Sequence, residues 1–194
     1  MPPIATDRSG NSAEFFWGEI SPCEHLVQIY QDDAVFLDAL EGFVGGGLRG
    51  RDGVIVIATP AHLAALEERL LAAGIDVQAA ALADRYLALS AKQMLDRFMI
   101  RGWPDDILFT QVVSDLLKRA GKDGRRVRAF GEMVALLWGE GHTGATVRLE
   151  HLWHRMCHDK GFSLFCAYPR VGFTQDADLS MKEICAAHSK VVHG

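Results

Sequence analysis

The chain has 194 residues, 49% of them hydrophobic, enough to bury a substantial core in one α/β domain. A formal charge of -5 and a pI near 5.9 leave no basic stripe for a phosphate backbone, which argues against direct nucleic-acid binding and disfavours anionic membrane surfaces. No apolar run approaches the roughly 20 residues that span a bilayer, and the amino terminus lacks the basic-then-apolar order of a signal peptide, so the expected location is cytoplasmic.

Residues 1–21, rich in Pro, Gly, Ser and Asn, read as a flexible N-terminal arm ahead of a domain over 22–194. The arm's apolar patch, Phe15-Phe16-Trp17, is expected to pack on its own domain, and it also suits a homodimer. His25–Tyr30 alternates like a strand, Gln31-Asp32-Asp33 breaks it, and Val35 to Leu48 carries Phe36, Leu40, Phe43 and Val44 on one helical face. Asp32 or Asp33 can cap that helix, accepting from its free N–H groups at the positive end of the dipole. Gly45-Gly46-Gly47 is no phosphate cradle, because it closes a helix where a phosphate loop would open one.

Val54–Ala58 is a continuous apolar run, the mark of a parallel strand covered on both faces. Thr59 caps the next helix with Pro60 in its first turn, Leu63, Leu66 and Leu70 face inward, and Gly74 ends it. A third strand is expected over Tyr86–Leu89, and the capping box Ser90-x-x-Gln93 opens a helix running to about Ile100. Gly102-Trp103-Pro104-Asp105 reads as a loop. A long helix then covers Asp106 to Ala120, stopped by Gly121.

The strand Val127–Phe130 ends at Gly131-Glu132-Met133, on the rim where open α/β sheets bind ligands. Glu132 therefore has two readings, a ligand acceptor or the cap of the short Met133–Trp138 helix. From Ala145 to Lys160 the pattern turns Leu149, Leu152, Trp153 and Met156 inward and leaves His151, His154 and His158 solvated. Phe162–Tyr168 is a strand with Cys166 as core, ended by Pro169. The last helix begins at the capping box Ser180-x-x-Glu183 and sets Met181, Ile184, Cys185 and His188 on a core-facing stripe. His188 is there a structural histidine or a ligand contact. Cys23, Cys157, Cys166 and Cys185 form no C-x-x-C pair, which fits a reduced compartment.

Strands alternating with helices imply an α/β three-layer sandwich with a mainly parallel sheet. Nucleophile-elbow, zincin and Rossmann signatures are missing from the contexts that would give them meaning. The turn after the first strand lacks the lysine and hydroxyl residue of a phosphate loop, and Asp32 and Asp33 would repel a triphosphate there. The residues call for no catalytic set, no cofactor and no metal.

Six segments taken together resemble the MEDS domain, the methanogen and methylotroph sensory domain of dichloromethane-responsive regulators and of many bacterial histidine kinases. They are His25–Asp33, Val56–His62, Arg128–Trp138, Leu149–Trp153, Phe165–Pro169 and Ile184–Ser189. The resemblance implies a RecA-like or KaiC-like fold without its phosphate loop, and a signal-input role. The chain stops at Gly194, so the expectation is a sensor acting through a separate partner, a histidine kinase or transcription regulator. A small-molecule ligand is expected at Tyr30, Asp32, Asp33, Thr59, Glu132 and His188. The alternatives are a residual nucleotide-binding or hydrolysing enzyme with an unconventional site, and a ligand-free protein-interaction module.

Overall fold

A computed structural model describes residues 23–170, with Trp17, Ile20, Ser21, Ile184, Ala186 and His188 and the backbone of residues 190–193. The expectations for Phe15, Phe16, Met181, Cys185 and the Ser180-x-x-Glu183 box lie outside the described residues. Among the described residues, eight strands and seven α-helices run in the order β1 (His25–Tyr30), α1 (Asp33–Arg49), β2 (Gly53–Ala58), α2 (Pro60–Ala72), α3 (Val77–Leu82), β3 (Tyr86–Ser90), α4 (Ala91–Phe98), β4 (Met99–Ile100), β5 (Trp103–Pro104), α5 (Asp106–Ala120), β6 (Val127–Gly131), α6 (Met133–Gly139), α7 (Thr143–Lys160), β7 (Ser163–Pro169) and β8 (Lys190–His193). No helix among the described residues is long and apolar enough to cross a membrane.

Six strands form one sheet in the order β3-β2-β6-β7-β1-β8, and every neighbouring pair is parallel. A parallel sheet must be covered on both faces, and two separate apolar clusters do this. Phe36, Leu40, Phe43 and Val44 of α1, with Leu66 and Leu70 of α2 and Val77 of α3, pack on Leu26, Val54, Val56, Phe130 and Phe165. On the other face, residues of α4, α5, α6 and α7 pack on Val27, Ile55, Ile57, Ala129 and Leu164. The fold is the three-layer sandwich expected from the sequence.

This layering creates a topological switch point. After β2 the chain leaves toward the α1–α3 layer, and after its neighbour β6 it leaves toward the α4–α7 layer. Connections that diverge in this way mark the carboxyl ends of the two strands, the place where ligands bind in open α/β sheets.

Three local readings change. The triglycine does not close α1 but lies inside it, because Gly46 runs beside the Trp17 backbone and Gly47 sits against Val54 and Arg128. The stretch read as a loop at 102–105 contributes to a hairpin, with β4 and β5 antiparallel about Arg101 and Gly102, both at positive φ. The edge strand β8, too short to register as a pattern, pairs with β1. Trp17 packs on its own domain, edge-on to Phe43 at 5.7 Å and tilted on Phe165 at 5.4 Å. Beside it, Arg128 forms a buried ion pair with Asp52 at 2.8 Å and donates to the Trp17 carbonyl, which ties Trp17 to the sheet.

Candidate functional site

Glu132 stands one residue past β6. Its N–H donates to the Ile57 carbonyl at 2.8 Å, which extends the β2–β6 ladder past the end of β6. Oε2 then accepts from the Thr59 N–H at 2.7 Å, and Oε1 meets His62 Nδ1 at 2.8 Å. Thr59 in turn caps α2, its hydroxyl accepting from the His62 N–H at 3.4 Å. The carboxylate therefore bridges the switch point, joining the end of β6 to the start of α2. Of the two readings open in the sequence, side-chain capping is not what is seen: Glu132 makes no such bond to α6.

An aromatic wall flanks this clamp. Tyr30, at the end of β1, stacks on Phe36 at 4.7 Å, and Phe36 lies edge-on to His62 at 5.0 Å. Asp32 serves as the α1 cap, Oδ1 accepting from the Ala34 N–H at 2.7 Å. Asp33 occupies the first helical turn and acts through its charge. The bond to Glu132 raises the His62 pKa, burial opposes it, and the charges of Glu132 and Asp33 reinforce the rise. Burial also pushes the Tyr30 phenol upward, with Glu132 and Asp33 adding to it, so Tyr30 stays a neutral donor. The rim thus offers three carboxylates, Asp32, Asp33 and Glu132, with one imidazole and an apolar ring face.

Five of the six sequence-identified positions, Tyr30, Asp32, Asp33, Thr59 and Glu132, lie at or just past the carboxyl ends of β1, β2 and β6, and of these Thr59 and Glu132 bond directly. His188 does not join them. It lies on the opposite face of the sheet with His25, Glu150 and Cys166, all four side chains buried. Cys166 is buried in the core as the sequence reading has it, and its Sγ also lies 3.6 Å from His25 Nε2 and 4.0 Å from Glu150 Oε2. Tyr168 donates to the other Glu150 oxygen. Burial acts to raise the Glu150 pKa, but the His188 and His25 rings and the Tyr168 bond outweigh it and hold the carboxyl low.

The sequence reading set neither His62 nor Glu150 among the site residues, although both fall in segments that carry the family resemblance. His62 follows Thr59 by three, the spacing at which a cap and its first-turn residue meet. Glu150 falls in the stripe of Thr146, Leu149, Trp153 and Cys157, all buried in α7. An acidic residue in an apolar stripe was a readable signal. The two carboxylates Glu132 and Glu150 belong to different clusters and share no bonding partner among the described contacts. Two cavities open away from both. One of about 280 Å³ lies between Lys118, Arg125 and Lys160 at the amino ends of β6 and β7, and one of about 350 Å³ lies along β3.

Against known proteins, the family model described as the methanogen/methylotroph, DcmR sensory domain (MEDS) matches residues 24–189, which includes every residue of the rim and of the buried cluster. No curated protein matches the chain.

Proposed function

The chain belongs to the MEDS family of sensory domains, and from that premise we propose that it is a non-catalytic signal-input module whose ligand binds at the strand-end rim. The observation that carries this reading is the Glu132 clamp across the β2–β6 switch point, beside the Tyr30–Phe36 wall. The ligand class that fits is a small organic molecule with a hydrogen-bond donor or cationic group for Glu132 and an apolar body for the ring face. Such a group competes with His62 for Oε1. Freed from Glu132, His62 and the first turn of α2 shift relative to β6, and α2 carries the change to the surface. A separate cytoplasmic signalling protein, a histidine kinase or transcription regulator, receives it.

The test is a thermal-shift panel of small alcohols, amines and halogenated organics on the whole chain, with the Glu132→Gln variant alongside. The reading expects a concentration-dependent rise in Tm that the variant loses. ATP or GTP turnover with Mg²⁺, abolished by the same substitution, would overturn it in favour of an enzyme. A flat panel, together with partner binding by the ligand-free protein, would instead favour an interaction module.

A further inference from the structure

We propose that His25, Glu150, Cys166 and His188 form a buried four-ligand site for a borderline divalent metal ion, with zinc(II) the best fit. Four elements supply one ligand each: β1, α7, β7 and the segment ahead of β8. Their donor atoms all lie within 4.8 Å of one another. Bonds of about 2.0 Å to nitrogen and oxygen and about 2.3 Å to sulfur put tetrahedral ligand edges at about 3.3–3.6 Å. His25 Nε2 to Cys166 Sγ is 3.6 Å, His25 Nε2 to Glu150 Oε2 is 3.5 Å, His188 Nε2 to Glu150 Oε2 is 3.4 Å, and Cys166 Sγ to Glu150 Oε2 is 4.0 Å. Of the six edges of a tetrahedron, three match already, the Cys166–Glu150 edge is slightly long, and the two from His188 to His25 and Cys166 lie within 4.8 Å.

Two further observations point to a ligand. His188 Nδ1 faces the Ile184 carbonyl, which can only accept, so the neutral ring carries its proton on Nδ1 and turns the Nε2 lone pair into the cluster. That Nε2 is fully buried and has no hydrogen-bond partner, Glu150 lying at ion-pair distance only. The Tyr168 hydroxyl holds the second Glu150 oxygen, leaving Oε2 to the cluster, which is the outer-shell support that metal carboxylates have. Charge also closes: a divalent ion balances one carboxylate and one thiolate beside two neutral imidazoles. Binding releases the thiol proton and any imidazolium proton, so affinity falls toward acid pH.

Four protein ligands leave no open position, which makes the site structural and not catalytic. Its effect is to pin His188 to β1, β7 and α7. The site lies on the other face of the sheet from the rim and does not depend on the ligand proposed there.

The test is metal analysis of the whole protein purified without chelators, followed by exchange with Co²⁺. About one zinc per chain is expected, with tetrahedral d–d bands and a thiolate-to-cobalt charge-transfer band in the exchanged protein. Cys166→Ser removes the charge-transfer band, and His188→Asn lowers affinity at least about tenfold. His151→Asn and His158→Asn, on the exposed face of α7, leave both unchanged. Absence of the band in wild-type protein overturns the proposal, as does a band that survives Cys166→Ser. The wild-type spectrum decides even where a variant fails to fold.

Discussion

Replacing Glu132 with Gln keeps the side chain's size and removes its charge, which isolates what the clamp contributes. The amide oxygen still accepts from the Thr59 N–H, and the amide NH₂ can face His62 Nδ1, so both contacts survive as neutral bonds in place of the present 2.7 and 2.8 Å ones. A hydrogen bond to a charged group is worth about 1.5–3 kcal/mol against about 0.5–1.5 for a neutral one, so two such exchanges remove roughly 2 kcal/mol. With a urea m value of about 2 kcal/mol/M, the midpoint falls by about 1 M. His62 reports the same change by NMR. Its folded pKa is raised, so its contribution is fully present below its unfolded value near 6.5 and fades as pH rises through the folded one. The wild type therefore loses stability on that upward passage, and the variant, whose His62 titrates lower, loses less. An unchanged His62 titration with an unmoved urea midpoint would refute the clamp.

Three further outcomes follow from the packing. Asp52→Ala leaves the buried Arg128 guanidinium without its carboxylate and should cost about 3–5 kcal/mol, read from chemical denaturation; a loss under about 1 kcal/mol contradicts the pairing. Gly47→Ala gains about 1 kcal/mol of helix propensity but sets a Cβ 2.9 Å from Val54 Cγ2 and 3.0 Å from Arg128 Cδ. Overpacking of about 1–3 kcal/mol outweighs that gain, so the variant is the less stable. Gly139→Ala meets nothing within 4 Å and should be neutral or stabilising by up to about 1 kcal/mol, a control for the glycine argument by the same denaturation curves.

Local chemistry explains what was legible in the sequence. The α5 boundaries follow from Asp105, which accepts from the Ile107 and Leu108 N–H groups, and from the stop at Gly121. Thr59 and Glu132 were found because apolar strand runs end at them, and strand ends mark a rim. The sequence left Asp32 and Asp33 as alternative caps with charges suited to the helix dipole, and the fold makes Asp32 the cap and sets Asp33 in the first turn. The buried cluster depended on information that no local pattern holds. His25 and Cys166 meet because β1 pairs with β7 in the register that sets Val27 opposite Cys166, and that register is a property of the assembled sheet. His188 was read on a core-facing stripe, and its side chain is indeed buried, but which core face received it depended on the strand order.

Native mass spectrometry of the gently purified whole chain tests the central claim most directly. The account predicts a non-covalent organic adduct on the 21.3 kDa chain that is lost in Glu132→Gln and kept in Cys166→Ser, apart from any metal adduct with the opposite pattern. An organic adduct that survives Glu132→Gln, or a bare chain that also fails to respond to the ligand panel, would contradict sensing at the rim.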